Sequence, residues 1–247
     1  MKHLGRFAVL VGALSVCATP VWSNPQTGPS HQADYELTDS VNKDRTYPES
    51  WWTAAPREGA PDWEILPQEA GPGEVILSKR TELGIFSNFA ATPITLDGKT
   101  YASVEGFWQM MKFPENAQDP RATFHGLTWP FEREAVGQMV GFEAKHAGDT
   151  GSTNMRTMGI NWVTWNGVQM PYRVPDKGQH YKLIRRAMIA KLDQNAEVRR
   201  LLLATGDLVL KPDHKQDANT PPAWEYFTIW MELRAELNGT KKAWSHH

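Results

Sequence analysis

Between Ser103 and Phe113 the apolar residues recur at helical spacing. At about 100° per residue, Val104, Phe107, Met110 and Met111 fall on one face, and Glu105, Gln109 and Lys112 fall together on the opposite one. Ser103 is a candidate N-cap, and Pro114 stops the predicted helix near Phe113. Just upstream, Ile94 to Tyr101 alternates around Asp97-Gly98. Both turn residues tolerate positive φ, so the spacing predicts a two-residue hairpin. Val75-Ile76-Leu77 reads as a short strand. Downstream, short helices are predicted over Asp119–Phe124 and Phe131–Met139, and Asp149-Thr150-Gly151-Ser152-Thr153-Asn154 reads as a loop. A longer amphipathic helix is predicted over Gly178–Asp193, with Leu183, Ala187, Ala190 and Lys191 near helical spacing. A helix capped by Asn195 carries Val198, Leu201 and Leu202 and ends at Gly206. A last one spans Ala223–Leu237. Helices outnumber short strands, which predicts an α+β class, a mostly helical single domain around a small sheet. From periodicity alone, the polar face of Glu105, Gln109 and Lys112 reads as a solvated face, with an acid in the first turn favoured by the helix dipole.

The N-terminus carries a different pattern. Lys2, His3 and Arg6 precede an apolar run from Phe7 to Ala18. A stable membrane span takes roughly 20 apolar residues, so this run has the length of a signal peptide. Residues 1–23 are read as a cleaved leader, ending at Ser23, and the chain as periplasmic or secreted. Residues 24–73 read as a proline- and tryptophan-rich arm, with Trp51, Trp52 and Trp63. Proline fixes φ and removes backbone donors, which disfavours long helices and inner strands here. A disordered tail is poor in aromatics, so the tryptophans predict docking on the domain, with a protein partner as the alternative. Residues 74–239 form the predicted domain and 240–247 a tail.

The formal net charge is −2, which gives no signal for non-specific binding to nucleic acid or an anionic membrane. The one cysteine is Cys17, inside the leader, so residues 24–247 offer no disulfide, no thiolate nucleophile and no cysteine metal site. His125, His146, His180 and His214 lack metal-ligand spacing. No phosphate-cradling glycine loop and no serine-nucleophile elbow stands in the sequence. No metal and no cofactor is expected.

A further pattern emerges when these pieces are read in order. Phe86-Ser87-Asn88-Phe89-Ala90-Ala91 precedes Pro93-Ile94 and Leu96-Asp97-Gly98-Lys99-Thr100-Tyr101. Then follow Glu105, Gln109, Lys112 and Phe113. This resembles the signature of the NADAR superfamily, which in its YbiA-like members reads SNF, a DGK hairpin, then E-H-x-x-Q-x-x-K-F. Ala190-Lys191, Gln194 and Leu201-Leu202-Leu203-Ala204-Thr205-Gly206-Asp207 resemble a second block, and Met231-Glu232-Leu233-Arg234 the last helix. In this sequence Gly106 stands where the family has histidine. A short proline-rich stretch, Asn219 to Trp224, replaces the family's glycine-rich loop.

The resemblance implies an α+β domain that handles ADP-ribose-like or ribosylaminopyrimidine ligands. Family activities include hydrolysis of the N-glycosidic bond of early riboflavin intermediates and removal of ADP-ribose from guanine. Breaking that bond builds positive charge on the sugar, which a carboxylate stabilises directly or by activating water. Glu105 is the candidate catalytic residue. The candidate substrate-binding residues are Ser87, Asn88, Phe89, Gln109, Lys112, Asp217 and Trp224. Among them, Asn88 and Gln109 are suited to ribose hydroxyls and Lys112 to a phosphate. Asp217 stands for the family's acid, and Trp224 offers a stacking surface. The partner is thus a small nucleotide-like substrate. A nucleotide-binding module without turnover and an interaction protein using its tryptophan-rich arm are the alternatives.

Overall fold

The computed structural model of the protein describes residues 46–239. The leader, residues 24–45 of the arm and the 240–247 tail lie outside the described residues. Strands β1 (Glu74–Ile76), β2 (Ile94–Leu96), β3 (Lys99–Tyr101), β4 (Trp162–Trp165), β5 (Val168–Pro171) and β6 (Val209–Lys211) pair as three two-stranded ribbons. β1 and β6 run parallel, with Glu74 opposite Val209. β2 and β3 form the hairpin predicted around Asp97-Gly98, whose φ values are 51° and 78°. A second hairpin, β4–β5, turns through Asn166-Gly167 with φ of 48° and 75°. Positive φ at both central residues matches the right-handed twist of the flanking strands.

Helices α1 (Val104–Met110), α2 (Arg133–Gly137), α3 (Gly141–Thr157), α4 (Gln179–Gln194), α5 (Ala196–Ala204) and α6 (Tyr226–Leu237) supply most of the interior, and the fold is of the α+β class. The predicted apolar face of α1 is core: Val104, Phe107 and Met111 are wholly buried. They meet Ile184, Ala187 and Met188 of α4 and Ile229 and Trp230 of α6 in one cluster. Each large apolar side chain so buried contributes on the order of 1.5–3 kcal/mol.

α1 starts where the cap predicts. Ser103 Oγ accepts the Gly106 N–H at 2.9 Å and donates to the Met139 carbonyl. It ends earlier than expected. The Lys112 and Phe113 N–H groups turn back to Gln109 and Met110, so the last turn tightens and Lys112 lies just past Met110.

Three expectations are corrected. Asp119–Phe124 is not helical. Asp119 accepts from the backbone of Glu115 and Arg121 and pairs with the buried Arg121 guanidinium, an arrangement that competes with helix formation. The helix expected over Phe131–Met139 is confined to α2. Most importantly, Asp149 to Asn154 is not a loop but lies inside α3, for a reason that belongs to the site below.

Residues 46–73 pack on the elements that follow. Trp51 is fully buried, and its Nε1–H reaches Glu82 Oε1 at 2.6 Å; Trp52 donates to the Glu74 carbonyl. Further along, Glu64 bridges to His214 in antiparallel fashion, which lays the arm along residues 213–215. No described helix is long and apolar enough to cross a membrane.

Candidate active site

The polar face of α1 is not solvated. Glu105, Gln109 and Lys112 are 6%, 5% and 3% exposed. α3 covers part of this face with small residues, Ala144, Ala147, Gly148 and Gly151. A Cβ at Gly148 would collide with the Gln109 side chain, and one at Gly151 would come 3.0 Å from Lys112 Cβ. The sequence reading placed Gly151 in a loop and gave Gly148 no element. In the fold they are the helical positions that leave room for two long polar side chains.

Gly106 lies on another side of α1. A Cβ there would stand 2.5 Å from the Met139 carbonyl oxygen and 3.0 Å from those of Val136 and Gly137. The close approach of α1 to the end of α2 excludes any side chain at this position, the family's histidine included.

Glu105, Gln109 and Lys112 line one wall of an open cleft of about 620 Å³. Ser87, Asn88, Phe89, Asp217 and Trp224 line it as well, so the candidate catalytic and substrate-binding residues meet in one place. Ser87 to Phe89 follow the turn Glu82–Phe86, and Asp217 precedes and Trp224 ends the proline-rich stretch before α6.

The Phe86–Phe89 segment is held from four directions. The Phe86 carbonyl accepts from Trp230 Nε1 at 2.8 Å, and that of Ser87 from Lys191 Nζ at 2.8 Å. The Asn88 carbonyl accepts the Glu105 N–H at 2.9 Å, and that of Phe89 the Gly141 N–H at 3.0 Å. Backbone that would otherwise be free to move is therefore fixed by α6, α4 and the starts of α1 and α3. Asn88 Oδ1 is left buried with no partner in the protein, an acceptor ready for a ligand hydroxyl.

Burial raises the Glu105 carboxyl above the usual carboxylate range, against the hydrogen bond from Gln109 Nε2 at 2.6 Å and the charge of Lys112. Burial also lowers Lys112 to about 7. Glu105 attracts its proton, while Lys145 and Arg173 repel it. Lys112 Nζ donates to Ser152 Oγ at 2.8 Å and to the Gly148 carbonyl at 3.2 Å. An acid pushed up and a base pushed down along one helix face is an arrangement suited to proton transfer near neutrality.

The inner wall is aromatic. Trp108 donates to the Tyr172 hydroxyl at 3.2 Å and packs edge-on against His180 and Trp224. His180 is buried there, and its basicity falls to about 4, so it stays neutral. Among the described residues no group of three or more His, Cys, Asp or Glu side chains is placed to hold a metal.

Several cleft residues were not read as site residues from the sequence: Trp63, Lys79, Trp108, Tyr172, Arg173 and His214. Lys79 is ion-paired with Asp213 and lies 5.2 Å from the Phe89 ring centroid. Tyr172 and Arg173 follow β5 directly. Reading Asn166-Gly167 as a hairpin turn would have placed them at a strand end, where binding residues often stand.

Comparison with known proteins bears on this cleft. The chain is 29% identical over 166 residues to N-glycosidase YbiA of Shigella boydii serotype 4, spanning 65% of this chain and 85% of that protein. It is 29% identical over 141 residues to N-glycosidase YbiA of Escherichia coli K12, spanning 57% and 69%. The relatives that the chain resembles are thus YbiA-type N-glycosidases, in line with the resemblance read in the sequence. No family model matches it. Among solved structures, the NMR structure of E. coli YbiA covers 70% of this chain and 91% of its own, at 24% identity and a TM-score of 0.39. In this chain backbone closes the space around Gly106, the position where the family it resembles has histidine.

Proposed function

We propose that this protein is an N-glycosidase-type hydrolase that acts outside the cytoplasm on the N-ribosyl bond of a nucleotide-like substrate, of the ADP-ribose/NAD or ribosylaminopyrimidine class. The observation that carries the reading is the buried Glu105 carboxyl in a cleft large enough for a nucleotide, with Gln109 and Lys112 beside it. The name N-glycosidase borne by the curated relatives supports it. The leader read in residues 1–23 is the ground for placing the reaction outside the cytoplasm.

In this reaction the bond between the anomeric carbon and the base nitrogen breaks, and its electron pair leaves with the base. The sugar gains positive charge, water oxygen adds to the anomeric carbon, and a proton passes to the base. Glu105 has two available roles. Ionised, it stabilises the sugar cation or takes the proton of the attacking water; with its raised proton affinity, it can hold that proton until the base needs it. Asn88 and Gln109 hold ribose hydroxyls, and Lys112 pairs with a phosphate. Ser87 and Phe89 shape the wall beside the sugar, Asp217 takes a polar edge of the substrate, and Trp224 stacks on a ring.

The test is product analysis of the full chain incubated with NAD, ADP-ribose, ribosylaminopyrimidine phosphates and ADP-ribosylated guanosine, beside Glu105→Gln. Release of a free base that drops by at least ~10²-fold in the variant supports the reading. No release from any substrate, with both proteins equally folded, sinks it in favour of a binding role.

A further inference from the structure

Arg173 stands at the rim of the cleft in an unusual setting. Its φ is 59°, in the left-handed region that a residue with a Cβ rarely adopts. Its guanidinium carbon lies 4.9 Å from the Trp224 ring centroid and 5.6 Å from that of Tyr172. Such contacts aim an arginine without neutralising it. Among the described residues no carboxylate is ion-paired with Arg173, although the side chain is exposed and the protein carries more acids than bases.

Lys112 Nζ approaches the same Tyr172 ring, 5.4 Å from its centroid. Two basic groups thus gather on one aromatic ring. The other charged groups near Lys112 are Glu105 on its own helix and Lys145 and Asp149 on α3, and those last two are paired with each other. Arg173 and Lys145 both repel the Lys112 charge. Like charges gathered in a partly dry cleft disfavour the folded state unless an anion joins them. A strained backbone holding one of them points to a ligand rather than to stability.

We infer that Arg173 and Lys112 together form an anion subsite across Tyr172 that takes a phosphate or diphosphate group of the ligand, with Arg173 setting the preference for phosphorylated over unphosphorylated ribosides. The inference rests on the nucleotide-like substrate class proposed above, but not on turnover. Arg173 offers a planar fork of N–H donors from the rim, and Lys112 a point charge from below. The phosphate so held would lie beside Trp224. Burial lowers the proton affinity of Lys112, and an arriving anion raises it. Binding therefore takes up protons from solution.

The experiment is calorimetric titration of the full chain, in the Glu105→Gln background so that turnover does not interfere, with AMP against adenosine and ribose 5-phosphate against ribose. The phosphorylated member of each pair should bind at least ~10-fold tighter, a step of about 1.4 kcal/mol. Arg173→Gln should erase most of that ratio and leave the unphosphorylated ligands unchanged, and Arg173→Lys should restore part of it. Repeating the titration at pH 8 in buffers of different ionisation enthalpy should reveal proton uptake that Lys112→Met abolishes. A ratio untouched by Arg173→Gln, or an equal loss for both members of each pair, overturns the inference. Base release in the earlier assay with an Arg173-independent ratio would refute the subsite alone. A phosphate preference without base release would leave the subsite standing and refute the glycosidase reading.

Discussion

Gly148 on α3 lies directly against the Gln109 side chain on α1, so closely that a single methyl group at residue 148 would collide with the amide. The amide donates in turn to Glu105 Oε1 at 2.6 Å. A glycine in mid-helix, which by itself weakens the helix by roughly 1 kcal/mol relative to alanine, is thus what allows the buried Glu105–Gln109 pair to form.

Gly148→Ala tests this trade directly. On an exposed helix the change would stabilise. Here it should lower stability by about 1–3 kcal/mol, because the overpacked amide has to leave its place. Gln109→Ala added to it should recover the stability but not ligand binding. Thermal or urea unfolding of the single and double variants reads the outcome, and a more stable Gly148→Ala would contradict the packing described.

Gly106→His should fail to restore a family-like site. With backbone carbonyls of Val136, Gly137 and Met139 around the Cβ position, the substitution forces α1 and α2 apart and should cost about 3 kcal/mol or more. Expression of soluble protein and circular dichroism suffice to check it. A well-folded variant would show that the interhelical approach is looser than it stands.

Trp51 should be as necessary as the residues of the helical core. It is fully buried and hydrogen-bonded to Glu82, so Trp51→Ala should destabilise by roughly 3–5 kcal/mol. A chain truncated to begin at Glu74 should unfold more readily than the full chain by at least as much. Equal denaturation midpoints for the full and truncated proteins would show that the arm is dispensable.

The two buried lysines predict how stability varies with pH. Burial lowers Lys191 to about 7, as it does Lys112. An unfolded lysine titrates near ~10.4, so between about pH 7 and 10 the unfolded chain holds protons that the folded one has released. Stability should therefore rise with pH across that window, by at most ~1.4 kcal/mol per unit for each lysine. Lys191→Met should flatten the rise and stabilise the protein most at the low-pH end. It should also loosen the Ser87 carbonyl, to be read as weaker ligand binding at unchanged helix content. Above pH 10 the trend should reverse, because burial raises Tyr101 to about 12 and keeps it neutral while unfolded tyrosines ionise. Urea midpoints at pH 6.5, 8 and 9.5 for both proteins decide the matter. A flat profile in the wild type would mean that Lys191 is not desolvated in the folded state.

Local signals in the sequence carry a good part of this structure. Ser103, the alternation around Asp97-Gly98 and the spacing of Leu183, Ala187, Ala190 and Lys191 each encode their element through side-chain chemistry within a few residues, and each element forms. The resemblance carried by the order and spacing from Phe86 to Lys112 points to six of the eight candidate site residues, because the loop and α1 are neighbours in the chain, while Asp217 and Trp224 lie about a hundred residues further on. Other features depend on partners distant in sequence. Whether Glu105, Gln109 and Lys112 face water or a cleft depends on α3, more than thirty residues away. That α3 continues through Gly148 and Gly151 depends on those same side chains filling the space the glycines leave. Arg173 and Lys112 share the Tyr172 ring only because a hairpin and a helix end meet there. Periodicity can mark a face as polar, but only tertiary packing determines what covers it, and burial then sets its proton affinities and leaves Asn88 Oδ1 without a partner.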